Sequence, residues 1–141
     1  MPPRGTPSGL AIVVCDHIIE DKLTNKKSLI GIFNNIHATS FPCRHPQLSV
    51  FVSLTEGFGQ YNARLRIVNE ETSEVVTDVR GPIQFPDVNA VVELVFNLVG
   101  LVFPSPGLYS IEFYCDEVPV LERRFHVSHS QPAKGPPPEE M

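Results

Sequence analysis

Apolar and polar positions alternate with period two along most of the chain, and clusters of turn residues interrupt them at short intervals. Period two places successive side chains on opposite sides of a strand, so the pattern predicts β-structure with one packed face and one wet face. Leu48, Val50, Val52 and Leu54 share one face, with Gln47, Ser49, Ser53 and Thr55 opposite. Tyr61, Ala63, Leu65 and Ile67 repeat the pattern against Asn62, Arg64 and Arg66. Two further inward stripes are Val92, Leu94, Phe96, Leu98 and Tyr109, Ile111, Phe113, Cys115. The punctuation is Glu56-Gly57-Phe58-Gly59, read as a hairpin turn, then the polar Asn69–Ser73, Gly81-Pro82, Pro104-Ser105-Pro106-Gly107 and Asp116-Glu117. No segment of helical length carries a 3.6-residue period. Seven to eight mostly antiparallel strands predict an all-β domain of two sheets packed face to face.

The first hairpin is the most distinctive stretch. Leu10–Ile36, LAIVVCDHIIEDKLTNKKSLIGIFNNI, holds two β-branched runs around the polar Asp21–Lys27. A turn centred on Thr24-Asn25 sets Cys15 opposite Asn34 and Asp16 opposite Phe33. Asp16, Asn34 and Asn35 then gather at the open end of the ribbon. They are a candidate polar site for a cation or an amide-bearing ligand. The same residue types also satisfy backbone donors where strands end or bulge, and that plainer role is preferred.

Composition narrows the class. A chain of 141 residues holds one domain with a real core, and 14 prolines, 9 glycines and 42% hydrophobic residues suit strands and loops rather than a helical bundle. The domain is expected over residues 10–128. A disordered N-terminal arm (1–9) and a disordered Pro-rich tail (129–141) flank it, because neither end has enough apolar surface to offset ordering entropy. A net charge of −5 argues against nucleic acid and anionic membranes as partners. No signal peptide and no membrane-length apolar run is visible, so a cytoplasmic protein is expected.

Little in the sequence resembles catalytic machinery. Cys15-Asp16-His17 and Cys43-Arg44-His45 both read C-x-H, but their spacing is not that of a zinc site, and no metal or other cofactor is expected. Gly57-Phe58-Gly59 lacks the helix and lysine of a phosphate loop. Arg64, Arg66, Arg80, Arg123 and Arg124 would form a basic stripe were Glu70, Glu71, Glu74 and Glu122 not close enough to neutralise it. Tyr109, after Pro106-Gly107, reads as a packing residue whose hydroxyl bonds back to a loop. Tyr114 falls on the opposite face and, with Phe51 and Phe58, is the candidate aromatic platform for a sugar.

Several segments together resemble a family of small uncharacterised bacterial proteins that are single β-sandwich domains. They are AIVVCDHIIED, SLIGIFNNIHATSFP, LSVFVSLTEGFGQY and FPSPGLYSIEFYCDEVPVLERRFHV, so the similarity covers about Leu10–Val127. Cys15-Asp16, Ser28–Phe33, Phe41-Pro42 and Pro106-Gly107-Leu108-Tyr109 are its motif-like parts. Two positions depart from the pattern, Asp116-Glu117 in place of Asp-Gly and Asn25 in place of Gly. The resemblance implies an immunoglobulin-like sandwich and a cytoplasmic setting, and it implies no activity. The expectation is a non-enzymatic interaction or scaffolding module that binds an unidentified protein or a second copy of itself. The alternative is a carbohydrate- or small-ligand-binding sandwich. Asp16, Asn34, Asn35 and Tyr114 are the candidate binding residues.

Overall fold

The computed structural model describes residues 5–130, and these form nine β-strands and no helix. They are β1 (Ser8–Glu20), β2 (Lys27–Ile32), β3 (Asn35–Ala38), β4 (Cys43–Thr55), β5 (Gly59–Asn69), β6 (Val75–Phe85), β7 (Val92–Phe103), β8 (Gly107–Cys115) and β9 (Val118–His129). One sheet has the order β2-β1-β4-β7, the other β3-β9-β8-β5-β6. All pairings are antiparallel except β3 with β9. The all-β sandwich expected from the sequence is therefore present, with nine strands rather than seven or eight.

The alternating stripes become the core. Leu48, Val50, Val52 and Leu54 from one sheet meet Leu65, Ile67, Ile111 and Phe113 from the other, all fully buried. Burying each such side chain contributes about 1.5–3 kcal/mol. Phe103, Tyr109 and Phe125 add an aromatic cluster with edge-on contacts of 5.1 and 5.9 Å between ring centroids. The Tyr109 hydroxyl donates to the Ser105 carbonyl at 2.6 Å, four residues back, as its position after Pro106-Gly107 suggested.

Three details differ from the sequence reading. Glu56–Phe58 is no hairpin turn: β4 and β5 lie in different sheets, and this segment carries the chain across. Gly57 is required there by a close approach, since a Cβ would overlap the Phe85 ring. The first hairpin pairs Cys15 with Ile32 and His17 with Ile30, two residues away from the register inferred by centring the turn on Thr24-Asn25. Its turn is instead set by Asp21, whose Oδ1 accepts from the Leu23 and Thr24 amides, with Asn25 at φ 58°. Finally, order begins earlier and ends later than the 10–128 bounds. Pro7 is buried, β1 starts at Ser8, β9 runs to His129, and the Ser130 amide donates to the Ala38 carbonyl at 2.8 Å. The rest of the two expected disordered ends, residues 1–4 and 131–141, lies outside the described residues.

Candidate functional site

The three polar residues of the first hairpin do not form one site. Asp16 packs over Gly31, which has φ 73° and whose place a Cβ could not share with the Asp16 carboxylate. Asp16 and Asn35 do line a common cleft of about 210 Å³ with Phe33, Ile36, His37 and His45. Asn35 is already engaged there, its Oδ1 accepting from Ser128 Oγ at 2.9 Å across the parallel β3–β9 pair. Asn34 serves a different purpose. Its side-chain oxygen accepts from Arg123 Nη2 at 3.0 Å and its carbonyl from the His126 amide at 2.9 Å. Arg123 also reaches the Ile12 carbonyl at 3.3 Å, so Asn34 and Arg123 tie the two sheets together along one side. Among the described residues, no group of three or more His, Cys, Asp or Glu side chains is placed to hold a metal ion.

Cys15 and Cys115 are unsuited to nucleophilic work. Burial pushes the Cys115 thiol up to about 11 and raises that of Cys15, and a protonated thiol is a poor nucleophile. Cys15 Sγ donates to the His17 main-chain carbonyl at 3.3 Å, not to an imidazole.

Tyr114 stands on the outer face of the five-stranded sheet, within an ion-pair lattice. Its hydroxyl donates to Glu112 Oε1 at 2.8 Å, and the Arg64 guanidinium sits 6.0 Å from its ring centre. Burial and then the Glu112 carboxylate raise its pKa. The arginines are matched one by one: Arg64 with Asp78 (2.7 Å) and Glu117 (3.0 Å), Arg66 with Glu112 (3.9 Å), Arg124 with Glu70 (3.0 Å) and Glu122 (3.3 Å). Arg80 also meets Asp78 and Glu117, so four of the five stripe arginines are ion-paired. Of the acids anticipated from sequence Glu70 and Glu122 take part, joined by Asp78, Glu112 and Glu117, while Arg123 bonds to Asn34 and the Ile12 carbonyl instead. A depression of about 280 Å³ beside Tyr114 is lined by Glu112, Pro119, Val120, Leu121 and Glu122. Phe51 lies on the outer face of the other sheet and Phe58 in the crossing loop, so the three aromatics lie on separate surfaces and form no platform.

Sequence reasoning missed the surface with the plainest binding chemistry. Beyond Cys15, β1 is no longer paired with β4, and Asp16–Ile32 is a two-stranded ribbon. One face of it carries Ile19 and Ile30, exposed by 53% and 45%. Ile32, in register with Cys15 at the base of the ribbon, is 55% exposed, and Leu23 at the tip is 94% exposed. Ile30 is opposite His17 and Ile19 opposite Ser28, so these two pairs hold no acid, lysine or arginine, and Asp21 and Lys26 follow only at the turn. The signal was the run of β-branched residues on both strands. Period two alone does not show that a ribbon leaves its sheet.

A two-sheet β-sandwich with one ion-paired face and one apolar ribbon defines the class. Within it, the chain belongs to a family of unknown function (DUF6941), whose model matches residues 10–128. No curated protein matches the chain. Among solved structures it is similar to a beta-glucosidase from Listeria innocua in complex with isofagomine, at 8% identity and a TM-score of 0.44, covering 86% of this chain and 16% of that one. The same enzyme in complex with glucose matches at 12% identity and a TM-score of 0.43, over 70% and 15% of the two chains. The chain thus spans less than a fifth of those enzymes' length.

Proposed function

We propose that this protein is a non-enzymatic interaction module that docks another protein on the apolar face of the β1–β2 ribbon. The observation that carries the reading is the exposure of Ile19, Ile30, Ile32 and Leu23 together on one projecting element. Contiguous exposed apolar surface of this kind marks protein-binding sites, whereas scattered single residues do not. The buried thiols of Cys15 and Cys115 and the carboxylate-paired Arg64, Arg66 and Arg124 add support, since the former are poor nucleophiles and the latter make no anion cradle. Three free cysteines suit a reducing compartment, and a cytoplasmic setting is part of the proposal. Among the described residues no helix is long and apolar enough to cross a membrane.

The test is paired affinity capture, with the wild-type chain against Ile19→Thr/Ile30→Thr/Ile32→Thr. Threonine keeps the β-branching that suits a strand and removes apolar surface. A partner retained by the wild type and lost by the variant is expected. Equal retention by both chains sinks the reading.

A further inference from the structure

The ribbon does not continue the plane of its sheet. Glu93 on β7 is in register with Ser53, and Ser53 with Ala11, near the start of β1. Lys27 is in register with Glu20, at the other end of β1. At about 3.3 Å per residue, a straight strand would carry Glu20 roughly 30 Å past Ala11, far beyond the reach of two side chains. Yet Lys27 Nζ lies 3.0 Å from Glu93 Oε1. The ribbon therefore folds back across its own sheet. Glu93 alternates with the core-facing Leu94, so the ribbon lies on the outer side. The bend falls at Asp16 and Gly31, where the register between β1 and β2 skips a pair and Gly31 adopts φ 73°.

Burial on that outer side records the same cover. Cys15 and Ser49, directly opposed, are both 0% exposed, and Ser53 is buried, although they alternate with the core residues Val14, Val50 and Val52. An outer sheet face is ordinarily wet. Val13 and Phe51 are half-buried there, as are Ile18, Lys27 and Leu29 of the ribbon. The covered pairs Val13–Phe51 and Cys15–Ser49 contain no charged residue, and the cover stops short of β7, where Val95 and Asn97 are exposed.

We propose that the β1–β2 ribbon is a hinged flap, latched by Lys27 on Glu93, that opens about Asp16 and Gly31 and uncovers this uncharged sheet face while the core stays folded. The inference stands apart from the docking proposal, because it concerns the underside of the ribbon and not its outer face. Opening is cheap for two reasons. The apolar cover consists of two half-buried residues, Ile18 and Leu29. Lys27 also keeps a carboxylate partner when the latch breaks, since Glu20, 3.5 Å away, travels with it on the ribbon. Elements with few buried apolar contacts open locally, well below the energy of global unfolding.

Two of the three thiols provide the readout in the unmodified protein. A pulse of N-ethylmaleimide followed by peptide mass spectrometry gives a separate rate for Cys15, under the flap, and for Cys115, inside the core. Cys15 is expected to react faster than Cys115. Glu93→Ala, Lys27→Ala or added salt should speed Cys15 by about two- to fivefold, the scale of a partly exposed ion pair, and leave Cys115 unchanged. One common rate for both thiols would mean that only global unfolding exposes them, and would overturn the proposal. So would a Cys15 rate indifferent to both latch substitutions and to salt.

Discussion

Tyr109 is fully buried with its hydroxyl on the Ser105 carbonyl, so it anchors the loop entering β8 through a single polar contact. Tyr109→Phe leaves that carbonyl without its donor and should cost about 1–2 kcal/mol, read as a lower urea midpoint at unchanged slope. Glu117 presents the opposite case. With Asp116 it makes the two-residue turn between β8 and β9 at φ 48° and 65°, a conformation that glycine adopts freely and glutamate does not. What keeps glutamate workable there is the outer face, where its carboxylate meets Arg64 at 3.0 Å and Arg80 at 3.6 Å. Exposed, salt-screened pairs offset only part of the left-handed backbone strain, so Glu117→Gly should raise the urea midpoint slightly. A loss of stability in urea unfolding would contradict this balance. Cys115 brings a pH dependence. Its thiol is pushed up from an ordinary value of 9.0 to about 11 by burial, so the unfolded chain loses that proton first as pH rises. Stability is complete below pH 9 and declines from there towards 11, and Cys115→Ala should flatten the decline in Tm over that window.

At the scale of elements, the strands were legible because each stripe repeats within a few residues and needs no partner to be recognised. Leu48–Leu54 and Tyr61–Ile67 face the core as their alternation predicts. The connections were not legible in the same way. Glu56-Gly57-Phe58-Gly59 has the composition of a hairpin turn, and only the pairing of β5 with β6 and β8 reveals that it crosses between sheets. The candidate site failed for a related reason. The position of Asp16 was judged from a turn centre two residues off, and Asn34 is claimed by Arg123, 89 residues away. The bend that turns the ribbon into a cover depends on Gly31 and on a contact between Lys27 and Glu93, 66 residues apart, which no local period encodes. Gly31→Ala belongs to this scale. It combines a positive φ with a clash on the Asp16 carboxylate, and it should speed amide hydrogen exchange in β2 without changing exchange in β8.

The molecule as a whole has two unlike outer surfaces. The five-stranded sheet shows water a lattice of paired charges around Arg64, Arg66 and Arg124, which suits a solvated face. The four-stranded sheet is covered along β1 and β4 by a ribbon whose own outer face is apolar, while Val95, Val99 and Val102 of β7 stay exposed. The proposed docking function puts recognition on the ribbon, and light scattering during size exclusion, run beside quantitative affinity capture, tests that proposal most directly. The wild-type chain should self-associate or retain a defined protein. Ile19→Thr/Ile30→Thr/Ile32→Thr should abolish that association at unchanged Tm, while Arg124→Ala on the charged face should preserve it. A wild-type chain that stays monomeric and retains the same proteins as the triple variant would contradict the account.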